Sequence, residues 1–495
     1  MTWVERRCLQ TQRCDFISVR NSDVAPRKRV VMTVPNVTGT TSAAADVFAR
    51  LDRLPIMRPH VVWVILLTAN LMLEYYDNGL FAYLIPSIMA SVGLGLEQIG
   101  ILTSGFFVGM ILGALVGGRL ADRFGRRWLL LIATIVYSGG ALATAFAGSF
   151  EVMLVARVVT GIGVQAATSA LLVYIAEMFP SRTRGRVVSI VTTAFVIVAP
   201  VISLLALFTI PNGGPETWRS LFVIGGVGLL LVPLVRIFMP ESARWLATRG
   251  DLAKAAEIVD KLERRAIRLG LDLPTPTPVP EGARKARVRE IFTNRRVLQS
   301  IVVVALGYFG ATLGLYLFAN WQFYVLIDGL SFSEEYAYQI GLIWSLVYII
   351  TPVVALLLMD RIERKTLIFG LSLVTAVPLI IFGYSNSDWV VITAGAIAGI
   401  ITGVIVTAFY AYIPEAVPTQ ARGLGSGIII SVGRFGGAAS GVLGAFLYAG
   451  WGQGGLMVVA AASYVLFALV LFFLGPRTTR RSLEDVTADE LAPGT

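Results

Sequence analysis

The chain has 495 residues, a formal net charge of +10, a hydrophobic share of 56% and a charged share of only 15%, with a mean hydropathy of +0.74. Soluble domains carry about 25% charged residues, so an ordinary soluble enzyme is excluded. Long unbroken apolar runs exclude a membrane β-barrel, whose strands alternate.

Residues 1–57 are polar, basic and free of an apolar core of signal-peptide type, and read as a cytoplasmic tail, mostly disordered, with a helical pattern over Ser42 to Leu54. Cys8 and Cys14 both fall in this tail and read as free thiols, and Asn36 opens a sequon on the side where it would not be used. Apolar runs then recur at 61–92, 98–120, 128–149, 151–177, 187–210 and 218–239, and again at 299–325, 336–358, 366–385, 388–413, 423–448 and 453–474. About 20 apolar residues span a bilayer as helix, so the expectation is an all-α integral membrane protein with twelve transmembrane helices in two six-helix bundles. Glycines at small-x-x-small spacing, such as Gly105, Gly109, Gly113 and Gly117, read as close-packing devices between helices.

Loop charge orients the bundle. Arg119, Arg123, Arg126 and Arg127 follow the second run, Arg182, Arg184 and Arg186 the fourth, Arg361, Arg364 and Lys365 the eighth, and Arg422 the tenth, while 209–217 and 327–335 hold no Lys or Arg. Basic loops stay inside, which places both termini in the cytoplasm and the chain in the plasma (cell inner) membrane. The surplus positive charge fits anionic lipid on that side and not nucleic acid. The break at 240–298 is cytoplasmic as well: an amphipathic helix over 252–269 stopped by Gly270, a Pro/Thr linker at 274–280, and a basic piece at 284–296 that reads as a short helix against the membrane. The predicted divisions are therefore a tail at 1–57, a bundle at 58–239, a linker at 240–298, a second bundle at 299–475 and a tail at 476–495.

An internal repeat crosses that linker. Gly118 to Arg127 (G-R-L-A-D-R-F-G-R-R) is answered by Met359 to Lys365, and Tyr174 to Pro180 with Arg184 and Gly185 is answered by Tyr412 to Pro418 with Arg422 and Gly423. Parallel repeats about an axis along the membrane normal are a pattern of secondary transporters. With these motifs and Pro240 to Leu246 (P-E-S-A-R-W-L), the stretch from Pro59 to Pro476 resembles the major facilitator superfamily. Glu74-Tyr75-Tyr76-Asp77 resembles the first span of metabolite:proton symporters, and Gly433 to Gly437 (G-R-F-G-G) a segment of aromatic-acid and other organic-anion transporters. The fifth span lacks a glutamine pair of sugar-porter type, and the fourth reads Gly161 to Gln165 without a G-G-E. The resemblance implies proton-coupled symport of a small organic anion or zwitterion by alternating access, without a cofactor or metal and as a monomer. The alternatives are an organic-cation or drug:proton antiporter, for which Glu74 and Asp77 would be the ligands, and a sugar or polyol transporter.

Polar residues at membrane depth are the candidate site. A charge in a bilayer must face a cavity or a partner, and Glu74 and Asp77 lie three apart on one helical face. Asp77, with Glu74 behind it, is the expected proton-coupling acid. Arg434, near the midplane, needs an anion and is the expected substrate ligand, with Tyr76, Gln165, Asn320, Trp321, Gln322 and Tyr410 completing the site; if a protein acid holds Arg434, Glu74 and Asp77 are the candidates. Arg157, a turn from the outer end of its span, either snorkels or joins the site. Asp122, Arg123, Arg126, Arg127, Glu177, Arg184, Asp360, Arg361, Arg364, Glu415 and Arg422 are the expected gating residues, whose ion pairs form in one conformation and release in the other.

Overall fold

A computed structural model of the chain describes residues 37–276, 294–359, 361–418 and 421–476. Cys8, Cys14, Asn36, Asp360 and most of the basic piece at 284–296 lie outside them. Ser42–Thr495 form one unit, which among the described residues holds every helix of membrane-spanning length.

Helix α1 (Val37–Asp52) precedes the membrane helices α2 (Arg58–Val92), α3 (Leu96–Phe124), α4 (Arg126–Ala145), α5 (Phe150–Met178), α6 (Ser181–Thr209) and α7 (Trp218–Phe238). Two helices, α8 (Ala243–Thr248) and α9 (Leu252–Arg268), make the connection, and α10 (Arg295–Gly329), α11 (Glu334–Met359), α12 (Arg364–Tyr384), α13 (Asp388–Glu415) and α14 (Arg422–Leu474) complete the chain. Among the described residues ten helices are long and apolar enough to cross a membrane. One of them, α14, has 53 residues and breaks at Gly452 (φ 64, ψ −166); at 1.5 Å per residue it is far too long for one crossing and supplies two. The 35-residue α2 adds the twelfth, its mean hydropathy lowered by Glu74 and Asp77. The last two predicted spans are thus a single bent helix, turned where only glycine tolerates the backbone.

The glycines of α3 and α5 act as predicted. A Cβ on Gly109 would stand 2.1 Å from the Val158 carbonyl oxygen, and one on Gly161 would stand 2.0 Å from that of Phe106. With no hydrophobic driving force inside lipid, such backbone contact is what holds two helices together.

The sequence repeat returns as a repeat of bonds at the end that carries the arginine loops, here the basic end. Arg126 pairs with Glu177 at 2.8 Å and donates to the Ala121 carbonyl; Arg364 pairs with Glu415 at 3.5 Å and donates to the Met359 carbonyl. The Tyr174 hydroxyl donates to the Pro240 carbonyl, and the Tyr412 hydroxyl to that of Pro476. Arg127 reaches the Met239 carbonyl and Lys365 that of Gly475. Each set closes a turn between two spans onto the last residues of its own half.

Between the halves, contacts gather at the opposite end. A Cβ on Gly100 of α3 would lie 2.8 Å from both Ala445 Cβ and the Gly441 carbonyl oxygen of α14. Ser104 donates to the Ala438 carbonyl and accepts from the Val442 N–H at 3.0 Å. The Tyr338 hydroxyl of α11 donates to the Tyr83 carbonyl of α2. Tyr410, which lies near the basic end of α13, is 48% exposed. The bundle is therefore closed at the opposite end and open towards the basic end.

The segment read as a mostly disordered tail is partly built into the fold. Val47, Leu51, Leu54 and Met57 are buried in one core with Ala255, Val259, Leu262 and Ala266 of α9. Arg50 bonds Asp260 and Glu263, and Arg53 bonds Glu263 and the Pro274 carbonyl. Asp52 accepts from the Ser181 N–H at the start of α6 and pairs with Arg244 at 2.9 Å. Burial acts to push the Glu263 carboxyl up, but its bonds to Arg50 and Arg53 outweigh that and hold it below the usual carboxylate range. A carboxylate depressed in the folded state contributes stability above its unfolded value, about 4.3, and loses it as pH falls through the folded one. Glu263→Gln should lower the protection of amides across 44–54 about tenfold at neutral pH, and wild type and variant should converge to the same protection in acid below about pH 4. Unchanged exchange in the variant would show that the apolar face alone seats α1.

Candidate functional site

Two polar centres lie at membrane depth. The first is inside the first six-helix half. Asp77 of α2 and Arg157 of α5 form an ion pair at 3.0 Å with side chains 1% and 2% exposed. The Arg157 guanidinium stands 4.4 Å from the Phe106 ring and 4.8 Å from the Phe81 ring, so aromatic faces replace the water it has lost. Arg157 does not snorkel. It is the counter-charge of Asp77, which corrects the expectation of Asp77 as a candidate to hold Arg434.

Glu74, one turn earlier, has different surroundings. One carboxyl oxygen accepts from the Thr168 hydroxyl, and the other, also buried, has no partner. Among the described residues no cation lies within ion-pair distance of it. Asn70, bonded to Thr134 at 2.7 Å, extends this polar strip along the same helix. Two acids a turn apart therefore differ in kind: the charge is compensated at Asp77 and not at Glu74.

The second centre lies between the halves. Arg434 of α14 is half-buried, and its Nε has no acceptor. Tyr75, Tyr308, Tyr316 and Tyr410 surround it. Asn78 of α2 lies beside Tyr316, so α2, α10 and α14 meet here. Phe107 of α3 closes the wall, its ring 4.5 Å from that of Tyr316, and Gly437 admits it, since a Cβ there would meet the Phe107 ring at 2.5 Å. Among the described residues no carboxylate lies within 4.0 Å of Arg434. A cation ringed by aromatic faces and hydroxyls can bind an anion, with rings to cover an apolar or aromatic remainder.

The remaining expected ligands divide. Tyr410 belongs to the Arg434 centre. Gln165 is buried with its Oε1 unpartnered, Gln322 is partly exposed, and Asn320 donates to Ser440 at 3.2 Å. Tyr76 and Trp321 instead belong to the packing. The Tyr76 hydroxyl donates to the Leu221 carbonyl inside the first half, and the buried Trp321 indole donates to the Ser440 carbonyl, over Gly444. Their neighbours in sequence, Tyr75 and Gln322, are the ones less deeply buried. Thr168 and Phe107 were not expected at either centre; a threonine one turn beyond Gln165 and a phenylalanine among glycines carry no signal of their own.

Of the expected gating residues, Asp122 is 77% exposed and pairs with Arg126 at 3.0 Å within its own half. Arg123 lies over the Phe124 ring, Arg184 is 3.9 Å from Asp52, Arg361 is exposed, and Arg422 donates to the Pro414 carbonyl.

Twelve spans among the described residues, in two repeats, with an ion pair sealed in one half and a cationic site between the halves, define a secondary transporter of the major facilitator fold. The chain belongs to the sugar (and other) transporter family, whose model matches residues 71–489. It is 30% identical to the gallate transporter of Pseudomonas putida over 80% of this chain and 87% of that one. It is 27% identical to the niacin transporter NiaP of Acinetobacter baylyi over 89% of this chain and 99% of that one. Among solved structures it is similar to the partially occluded inward open xylose transporter XylE from E. coli, with a TM-score of 0.69, 19% identity and coverage of 85% of this chain and 99% of that one.

Proposed function

We propose that the protein is a proton-coupled symporter of a small organic anion or zwitterion, working by alternating access between 58–239 and 299–475 as moving halves. The observation that carries this reading is Arg434: an arginine at membrane depth with no carboxylate beside it is costly unless an anion arrives to pair with it. The tyrosines and Phe107 around it suit an aromatic carboxylate, and the gallate and niacin relatives support that class. Asp77 and Glu74 are engaged away from Arg434, so proton and anion do not compete for one group. Asn78, next to Asp77, touches Tyr316, which touches Arg434, and this short path couples the two centres. The basic end faces the cytoplasm of the cell inner membrane, with anionic lipid against its arginines, and the unit is a monomer that needs no cofactor beyond the proton. Residues 1–57, 240–298 and 476–495 are its cytoplasmic tails and linker.

A neutral sugar or polyol is the second reading, favoured by the amides of Gln165, Asn320 and Gln322 and by the family description. An organic cation is less well served, because Asp77 is already neutralised by Arg157. Proteoliposome uptake of benzoate-type acids, their neutral amides and pentoses, each with and without an imposed pH gradient, separates the three. Gradient-driven uptake of the acid alone is expected; uptake of pentose in its place would replace the anion reading with the second.

The arginine loops act as a latch in this reading. With the basic end open, Asp122 pairs only within its half; on closure it accepts from the other half as well. Asp122→Asn should lower exchange rate several-fold and leave binding affinity nearly unchanged, measured on the same preparation. A large loss of affinity at an intact rate would take Asp122 out of the latch.

A further inference from the structure

The closed end of the bundle has two seams of different chemistry. One is the backbone contact of α3 with α14 through Gly100, Ser104 and Gly441. The other lies where α2 and α6 meet α10 and α11; Ser87 of α2 donates to Glu334 of α11 there, and several contacts involve one residue, Tyr83 of α2. Its hydroxyl shares a hydrogen bond with Ser203 of α6 at 3.0 Å, inside its own half. Its carbonyl accepts from the Tyr338 hydroxyl of α11, in the other half, also at 3.0 Å. Its ring lies 4.0 Å from the Phe323 ring of α10, inclined at 31°.

The sequence supplies a reason for each contact. Pro86 stands inside α2 one turn beyond Tyr83; lacking an N–H, it disturbs the ladder there and leaves carbonyls of the preceding turn accessible to an outside donor. Phe323 follows the break in α10 at Asn320 and Trp321 and precedes the wide turn at Val325–Gly329. Irregular backbone of this kind lets the end of α10 move separately from its body. Gly341 of α11 makes room for the ring, since a Cβ there would meet Phe323 at 2.7 Å and Tyr83 at 3.6 Å.

We infer that Tyr83 is the keystone of the gate at this end: its hydroxyl fixes it to α6 within its own half, while its carbonyl and ring tie α2 to α11 and α10 of the other half, so that opening the end requires both cross-half ties to break or move together. It acts on which state is populated and does not touch the solute. This inference rests on the alternating-access reading, but not on the identity of the substrate.

Pulsed electron resonance distances test it. With Cys8 and Cys14 replaced by serine the chain holds no other cysteine, so spin labels can be placed at Glu97→Cys and Glu335→Cys across the closed end, and at Arg182→Cys and Leu424→Cys across the open end. Removing a ring contact and a hydrogen bond in Tyr83→Ala should raise the population open at the Glu97/Glu335 end about tenfold, with the other distance shortening in the same molecules. Tyr83→Phe, which keeps the ring and the carbonyl, should shift it less. Tyr338→Phe removes one tie without disturbing α2 and should shift it in the same direction, which keeps the test open if Tyr83→Ala folds poorly. Wild-type distances that exchange in opposite senses with pH or substrate, but do not move in folded Tyr83 and Tyr338 variants, would overturn the keystone alone. Distances that never exchange in wild type would overturn alternating access and the keystone with it.

Discussion

Arg434→Ala should lose nearly all affinity for a carboxylate substrate, a hundredfold or more, while the folded bundle survives. The expectation follows from geometry: among the described residues no acid lies within 4.0 Å of the guanidinium, its Nε is unpartnered, and its neighbours are tyrosines. A charge-assisted bidentate pair is worth roughly twice a neutral hydrogen bond, and in a shielded site a loss of about 3 kcal/mol is reasonable. Arg434→Lys should lose most of the same affinity despite keeping its charge, because an ammonium cannot reproduce the fork. The alanine variant should also be more stable to heat than a random polar substitution nearby, since it removes a desolvated cation and leaves no orphaned acid behind. Binding of an aromatic acid and of its neutral amide to purified wild type and variants decides the matter. Equal affinity for acid and amide in wild type, or undiminished binding in Arg434→Ala, would move the reading to a neutral or cationic solute.

Asp77→Asn should abolish pH-driven accumulation and leave counterflow of substrate measurable. It should also cost stability, because it strands Arg157 among Phe81 and Phe106 with no anion; removing one partner of a buried pair costs about 3 to 5 kcal/mol. Arg157→Gln should be comparably destabilising by stranding Asp77. The double variant should recover much of the loss, and that non-additivity measured by thermal unfolding is the signature of a pair. Transport separates the roles further. If Asp77 carries the proton, the double variant regains stability but not accumulation. Glu74→Gln supplies the comparison, because Glu74 has a hydroxyl partner and no cation, so its removal should leave stability nearly unchanged. Loss of the pH dependence in Glu74→Gln, with Asp77→Asn still accumulating, would place the proton site one turn earlier.

Much of this protein is decided by local composition. A helix in lipid must satisfy its own backbone, so apolar length alone locates most spans, and the two loop motifs, repeated across the linker, imply two similar halves before any contact is known. The midplane depth of Arg434 and the polar face of α2 are equally local, because they follow from position along a helix of known rise. What pairs with what is not local. Asp77 and Arg157 are 80 residues apart, and their meeting depends on how α2 and α5 rotate about their axes; the rotation of α5 is set by its backbone contacts with α3 at Gly109 and Gly161. The rotation of α2 decides that Tyr75 faces Arg434 while Tyr76, about 100° further round the helix, turns to Leu221; periodicity separates the two but does not say which of them faces the site. The docked α1 escaped a reading of its own composition because its ion partners, Asp260 and Glu263, lie in the linker. Which end is open is furthest from the sequence: two packings of one chain differ by only a few kcal/mol, and the contacts that hold the present one, at Tyr83, Gly100 and Ser104, come into being only when the two halves are assembled.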